Sequence, residues 1–437
     1  MCTQKEAVVT STMPELSLNR RRIALLALFF VPGIAMASWV TRTPSIRDAL
    51  GVSTAEMGFV LFGLSIGSML GILSSGPLVT RWGARPIIFT GTLGVVLSMP
   101  IVGVGTALAQ PLLVAAGLLV FGAGMGTGEV AMNVEGAEYE ATSARTFLPA
   151  MHGFFSLGTV VAAILGIVAT ALAFPVPIHL TLIGIIAAII LALSMKHIPH
   201  GTGRVTPGRN PSNEADTAAE AGAESSGLAG SGPRGSTRKS APVWRDPRLL
   251  IIGFVVLGMA LAEGTANDWL PLLMVDGHGF DPALGSSVYA IFAASMTIGR
   301  LLGGRIVARF GRTKVLFTSG VFGLIGIGLI SFVDNQIIAA TAVILWGLGT
   351  SLGFPVALST AGDSGPHPAK RVATVSTIGY LAFLAGPPAL GILGEEVGLR
   401  GALVIPMSVI VIVIAVIPLI RSSKTTRVHT PRSTVEV

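Results

Sequence analysis

Only a few ionisable side chains stand inside the long apolar stretches of this 437-residue chain, and they are the first candidates for chemistry. Glu129 and Asn133 are four residues apart, and Glu263 and Asn267 repeat that spacing, so each pair would share one face of a helix. Asp268 follows the second pair directly, nearer the outer surface, where water could reach it. Ionisable groups at membrane depth are costly and usually face a pore or a partner, where a carboxyl group can load and release protons. These five residues are therefore candidates for binding a substrate or a proton.

Other polar residues of the apolar stretches have two interpretations each. Arg300 could pair with the carboxylates, in which case they would only fix helix packing. His152 is a candidate proton relay, but a lone histidine there is more often a hydrogen-bonded packing residue. Arg42 and Arg47 could attract an anionic solute or anchor the chain at the membrane surface. Trp39 could stack on a substrate ring, or lie at the membrane interface as indoles often do.

The composition predicts that lipid surrounds most of the elements that carry these residues. Hydrophobic residues make up 51% of the chain and charged residues 12%, with a mean hydropathy of +0.76. A soluble domain would carry about a quarter charged residues. Apolar runs long enough to span a bilayer as helices, about 20 residues each, fall near 23–43, 55–79, 86–107, 111–134, 148–170 and 175–195, and again near 249–274, 284–304, 315–333, 337–360, 372–393 and 402–420. We predict an all-α membrane protein with twelve transmembrane helices.

A polar stretch rich in Gly, Ser, Ala and Pro divides these runs into two groups of six. It cannot bury enough apolar surface to order itself, so we expect a flexible linker. The predicted organisation is a tail over 1–22, a six-helix bundle over 23–195, the linker over 196–248, a second bundle over 249–420 and a tail over 421–437.

The distribution of basic residues predicts the orientation in the membrane. With both termini in the cytoplasm, 25 of the 29 Lys and Arg residues fall in cytoplasmic segments, and three, Arg42, Arg47 and Arg400, fall on the opposite face. Such a bias is the usual signature of cytoplasmic loops. We expect a multi-pass protein of a bacterial inner membrane, whose net charge of +7 indicates topology and not a nucleic-acid partner.

A short segment recurs in both groups of helices, 228 residues apart. Its residues are Gly76, Arg81, Gly83 and Arg85 in the first copy and Gly304, Arg309, Gly311 and Arg312 in the second. Glycine permits a tight turn between two spans, and arginine can hold a loop at the inner face. We interpret the arginines either as gating residues or as topology anchors only.

These two loops resemble the G-x-L-x-D-R-x-G-R signature of the major facilitator superfamily. The resemblance implies the major facilitator fold, with two pseudo-symmetric six-helix bundles that rock about a site at the middle of the membrane. The sequence departs from the signature at its acidic position, which is Thr80 in one copy and Ala308 in the other. The charge relay assigned to that loop in the family is therefore incomplete here.

The fourth span has a narrower resemblance. Its glycine run, Gly122 to Gly128, followed by Glu129 and Asn133, is similar to the fourth helix of the fucose-permease branch, where a protonatable glutamate stands at that place. The aspartate that this branch carries late in its first helix is Val40 here, so the resemblance does not supply the fucose-type coupling pair and does not by itself imply sugar specificity. Two further patterns, Trp39-x-x-Arg42-x-Pro44 and His152-x-x-Phe155-Ser156-Leu157-Gly158, resemble those of an uncharacterised group of bacterial inner-membrane permeases.

These observations favour a secondary transporter of a small solute that works by alternating access. We expect protons as the coupling ion, symport of a sugar-like or small polar compound, and a monomer. No metal-ligand cluster, nucleotide-binding loop or nucleophile motif stands in the sequence, so we expect no cofactor, no metal and no enzyme activity. Proton-driven efflux of hydrophobic compounds or metabolites is the alternative, and a non-transporting membrane sensor is a remote one.

Overall fold

The computed structural model describes residues 15–143, 147–204, 246–365 and 368–420, and every regular element in these ranges is a helix. Most of the predicted tails and linker, namely 1–14, 205–245 and 421–437, lies outside the described residues. We call the helices before residue 205 the first half and those after residue 245 the second half. The prediction of an all-α protein is confirmed.

Six long helices form the first half, and a short one follows the first of them. The spans are Glu15–Val40, Thr54–Trp82, Ala84–Ala107, Pro111–Ser143, Leu148–Ala171 and Val176–Met195. The short helix, Thr43–Leu50, was not predicted; it begins with Pro44 in its first turn and ends at Gly51, whose φ of 63° is easiest for glycine.

Six further spans form the second half. They are Pro247–Leu272, which continues as a π-helical turn over Leu273–Gly277, then Pro282–Phe310, Arg312–Phe332, Gln336–Gly362, Pro368–Ala402 and Val404–Val416, which ends in a 3-10 turn over Ile417–Ile420. In the described ranges, eleven helices are long and apolar enough to cross a membrane, and Val404–Ile420 is a shorter apolar twelfth.

Several helices run past the apolar stretches from which they were predicted. The second span extends to Trp82, where Gly83 caps it, and the fourth is described as far as Ser143. Caps also set starting points: Ser53 and Glu56 form a capping box at the second span, and Asp281 caps the eighth.

The glycine run of the fourth span fixes where that helix lies. A Cβ on Gly122 would stand 2.2 Å from the carbonyl oxygen of Leu64 in the second span, and one on Gly124 would stand 2.5 Å from that of Gly91 in the third. Only glycine allows backbones to approach so closely, as the sequence predicted. The fourth span is therefore clamped between the second and third spans, which orients Glu129.

The two halves meet where the second span packs on the eleventh and the fifth on the eighth. We call the end of the bundle that carries the loops after odd-numbered spans the sealed face, because the hydrogen bonds between the halves found among the described residues lie there or nearer the middle, and we call the opposite end the open face. At the sealed face, the Ser286 hydroxyl donates to the Thr41 carbonyl at 2.7 Å, and nearer the middle the Ser65 hydroxyl donates to the Phe383 carbonyl at 2.6 Å. Both bonds join the two halves.

Candidate functional site

Glu129 lies on the fourth span and is partly exposed, and it makes no hydrogen bond or ion pair with a described residue. It lies within electrostatic range of Arg300 on the eighth span and of Tyr380 on the eleventh, both in the second half. This side chain of the first half therefore faces polar groups of the second half across the space between them.

Glu263 has a different environment from Glu129. Its Oε1 accepts a 2.7 Å hydrogen bond from Nη2 of Arg300, so the seventh and eighth spans are joined by an ion pair within the second half. The Arg300 side chain is nevertheless 39% exposed and that of Glu263 14%. The pairing interpretation thus holds for Glu263 and not for Glu129. The pair is thus not fully enclosed by the described residues.

Asn267 and Asp268 follow one helical turn after Glu263. The Tyr289 hydroxyl donates to the Asn267 side-chain oxygen at 3.4 Å. Asp268 is only 7% exposed and makes no hydrogen bond or ion pair with a described residue. The expectation that water reaches Asp268 near the outer surface is therefore wrong, since the eighth span and its Tyr289 pack beside it.

Asn133 and His152 complete the polar lining near Glu129, each with an unpartnered atom among the described residues. Asn133 is 7% exposed, and its side-chain oxygen has no donor. His152 packs edge-on against Phe29 with ring centres 5.2 Å apart, its Nε2 is unpartnered, and it lies within electrostatic range of Arg300. The structure thus brings Glu129, His152 and the Glu263–Arg300 pair together.

Two predicted residues stand apart from this cluster. Trp39 is 1% exposed and packs edge-on against Phe121 with ring centres 6.4 Å apart, so it belongs to the core of the first half and does not stack in the cleft. Arg42 lies between spans at the sealed face, where its Nη2 donates to the Phe174 carbonyl at 2.6 Å. Burial lowers the pKa of the Arg42 guanidinium. Arg42 also lines a recess of about 570 Å³, opposite Asp281 of the second half.

The repeated loops have the same backbone geometry in both halves. Gly83 and Gly311 adopt φ values of 87° and 79°, and each ends one span and begins the next. The interpretation of Gly76 and Gly304 as turn residues is wrong, because both lie inside helices that continue to Trp82 and Phe310.

The arginines of these loops contact residues of their own half. Arg81 lies over the ring of Trp82 and Arg309 over that of Phe310, at 5.6 and 5.5 Å from the ring centres. Arg85 contacts the His200 ring at 2.7 Å, and Arg312 forms an ion pair with Asp363. The contacts of Arg85 and Arg312 tie the loops to other segments of the same half, whereas Arg81 and Arg309 each lie over the next residue of their own helix.

Sequence reasoning did not include Arg300, Tyr289 or Tyr380 among the site residues. Arg300 carried a signal, since a lone arginine in an apolar span needs a partner. The tyrosines carried none, because a tyrosine in an apolar span is compatible with core packing as well as with a site.

Comparison with known proteins decides the family. The model of the Major Facilitator Superfamily matches residues 23–375. The chain belongs to the Major Facilitator Superfamily. An uncharacterised transporter of this superfamily from Yersinia pestis is 31% identical over 380 residues, covering 86% of this chain and 89% of the relative. An uncharacterised transporter from Sinorhizobium fredii is 27% identical and covers 85% and 90%.

Solved structures show the same major facilitator fold. A point mutant of the nucleoside transporter NupG superposes with a TM-score of 0.72 at 14% identity over 92% of this chain and 100% of NupG. A point mutant of the fucose:proton symporter FucP of E. coli gives a TM-score of 0.58 at 16% identity over 93% of this chain and 100% of FucP. This major facilitator protein is therefore a multi-pass membrane transporter, and its family moves small molecules by secondary transport.

Proposed function

We propose that this transporter is a proton-coupled symporter of a small polar solute that binds in the cleft between the halves. Glu129 takes the coupling proton, and the Glu263–Arg300 pair forms the opposite wall. The observation that carries the proposal is that Glu129, which has no partner among the described residues, faces an ion pair whose arginine side chain is still 39% exposed.

The charge balance of this cluster supports coupling. When the cleft closes, water leaves two carboxylates, Glu129 and Glu263, and one guanidinium, Arg300. Removing charges from water is expensive unless they are compensated. Arg300 compensates Glu263, so the charge of Glu129 stays unbalanced until a proton binds it. A protonated Glu129 makes the cluster neutral, so closing the cleft costs less free energy when the proton is bound.

The cleft groups favour a solute with several hydroxyl, carbonyl or amide groups. Arg300 and Tyr380 can donate hydrogen bonds, Asn267 can donate and accept, and Glu129 can accept. FucP is a fucose:proton symporter and NupG a nucleoside transporter, and both of those substrate classes carry several hydroxyl groups. We include sugars and nucleosides among the candidates on that ground.

We further propose that the protein is a monomer in a bacterial inner membrane with both termini in the cytoplasm. The basic residues support this orientation, because 25 of 29 fall on one side. The sealed face then points outward and the cleft opens to the cytoplasm.

The proton-coupling proposal is tested in two steps. A thermal-shift screen of purified protein against sugars, nucleosides, organic acids and amino acids identifies a solute. Uptake of that solute into proteoliposomes is then driven by a pH gradient. Glu129→Gln should abolish gradient-driven uptake but keep solute exchange at equal pH, because it removes the proton site and leaves the solute-binding wall.

Glu138→Gln is the matched control, since Glu138 is exposed on the same helix, and it should transport normally. Unchanged gradient-driven uptake in Glu129→Gln would exclude Glu129 as the coupling residue.

A further inference from the structure

Arg47 lies on the short helix between the first and second spans and binds carboxylates from both halves. Its Nη2 is 2.8 Å from Oδ1 of Asp48 in its own helix and 3.0 Å from Oδ1 of Asp276 in the second half, and its Nη1 contacts the other Asp276 oxygen. Burial lowers the pKa of Arg47, but hydrogen bonds to Asp276 and Asp48 outweigh burial and raise it. Arg47 is thus a permanent cation held in a two-pronged ion pair between the halves.

Each partner of this ion pair is fixed to its own half. The Arg47 helix buries Ile46 and Leu50. Asp276 belongs to the π-helical turn Leu273–Gly277, which is followed by His278, whose Nε2 lies 3.0 Å from the Ile330 carbonyl. Because each residue moves with its half, the halves cannot part at the sealed face while the ion pair holds. Single π-helical turns often occur at functional sites.

Other polar contacts join the two halves at the sealed face, whereas the ion pairs described at the open face join elements of a single half. Besides Arg47–Asp276, the sealed side has the Ser286–Thr41 bond and a 3.2 Å bond from the Ala55 amide to Glu395, both between halves. At the open face, the ion pairs Arg21–Glu135, Arg312–Asp363 and Arg371–Asp246 each join elements of one half. Among the residues that the structure describes, the ion pair that must break for the sealed face to open is therefore Arg47–Asp276.

We propose that Arg47 and Asp276 form the gate of the transport cycle at the sealed face. The gate closes this face in the state described here and opens when the ion pair dissociates. The proposal rests on alternating access and not on proton coupling, so the Glu129 experiment can fail without affecting it.

The test measures how often the sealed face opens, without any substrate. The native cysteine is removed by Cys2→Ser, and Ser65→Cys supplies a reporter of nearly the same size, 7% exposed between the halves. A membrane-impermeant maleimide is added to cells and to inside-out vesicles. Gln110→Cys, exposed at the sealed face, identifies the preparation in which the reagent meets that face.

In that preparation, Arg47→Gln and Asp276→Asn should each speed labelling of the reporter roughly three- to ten-fold, since a partly exposed ion pair stabilises the closed state only modestly. Exchanging the charges, with Arg47→Asp and Asp276→Arg together, should restore slow labelling. This recovery separates a lost gate from a damaged fold.

Asp334→Asn is the matched control. Asp334 pairs with Arg400 at 2.8 Å on the same face, but both belong to the second half, so its loss should leave labelling unchanged. Equal acceleration by Asp334→Asn, or unchanged labelling in both gate variants, would overturn the proposal.

Discussion

Glu129 and Glu263 have the same residue type and the same neighbour four positions on, yet their environments differ. Glu263 pairs with Arg300 at 2.7 Å, whereas Glu129 has no partner among the described residues and faces that pair from the other half. The difference matters for function because a compensated carboxylate has no need of a proton when water leaves. At the residue scale, the partner of each carboxylate decides its role.

A second carboxylate of the fourth span, Glu135, shows the structural role. It is fully buried and binds Arg21 of the first span at 2.6 Å. Arg21→Gln should lower the free energy of unfolding by about 3–5 kcal/mol, because it leaves an uncompensated buried charge. The measurement is thermal or denaturant unfolding of the purified protein.

Arg22→Gln removes the same charge from the neighbouring position, which is exposed, and should change stability little. Equal destabilisation by both variants would show that the loss of basic charge, and not the buried pair, is responsible.

At the scale of the helix, glycine decides which spans touch. Gly124 has a substitution cost that follows from geometry: an added Cβ would stand 2.5 Å from the Gly91 carbonyl and 2.9 Å from the Val95 amide, which are backbone atoms and cannot rotate away. We expect Gly124→Ala to destabilise the protein by roughly 1–3 kcal/mol, as overpacking does, and to move Glu129 with its helix. The melting temperature measures the first effect.

Gly76→Ala is the matched control, because a Cβ there meets nothing within 4 Å and Gly76 lies inside a helix. It should be neutral or stabilising by about 0.5–1 kcal/mol, the usual preference of a helix interior for alanine. A loss of stability in Gly76→Ala comparable to that in Gly124→Ala would contradict this packing argument.

At the scale of the whole molecule, the proposed alternating access requires the second and eleventh spans to separate at the sealed face. A Cβ on Gly394 would lie 3.2 Å from Cγ2 of Thr54, a position that the sulfur of a cysteine at residue 54 can take, so a disulfide can join the two positions. In a Cys2→Ser background, oxidised Thr54→Cys/Gly394→Cys protein should therefore lose transport of the solute found by the screen, and a reductant should restore it. Proteoliposome exchange measures both states.

Each single cysteine variant is the control and should transport normally under oxidising conditions. Transport that persists after complete cross-linking would show that these two spans do not move apart in the cycle.

The sequence by itself determined the helical class, the number of spans, the repeated loop and the carboxylates worth attention. The length of apolar runs and the distribution of charges are local properties of the chain, so the sequence is enough to predict them. The glycine spacing of the fourth span likewise indicated close packing, which the contacts with the second and third spans confirm.

Tertiary structure alone decided which groups meet. Residue types did not indicate that Arg300 pairs with Glu263 and only approaches Glu129, that Asp268 is buried, or that Trp39 lies in the core. The sequence also did not predict the π-helical turn that carries Asp276, or the ion pair between Asp276 and Arg47, which lies 229 residues earlier. These facts depend on how the two halves are placed against each other, and no local pattern in the chain encodes that placement.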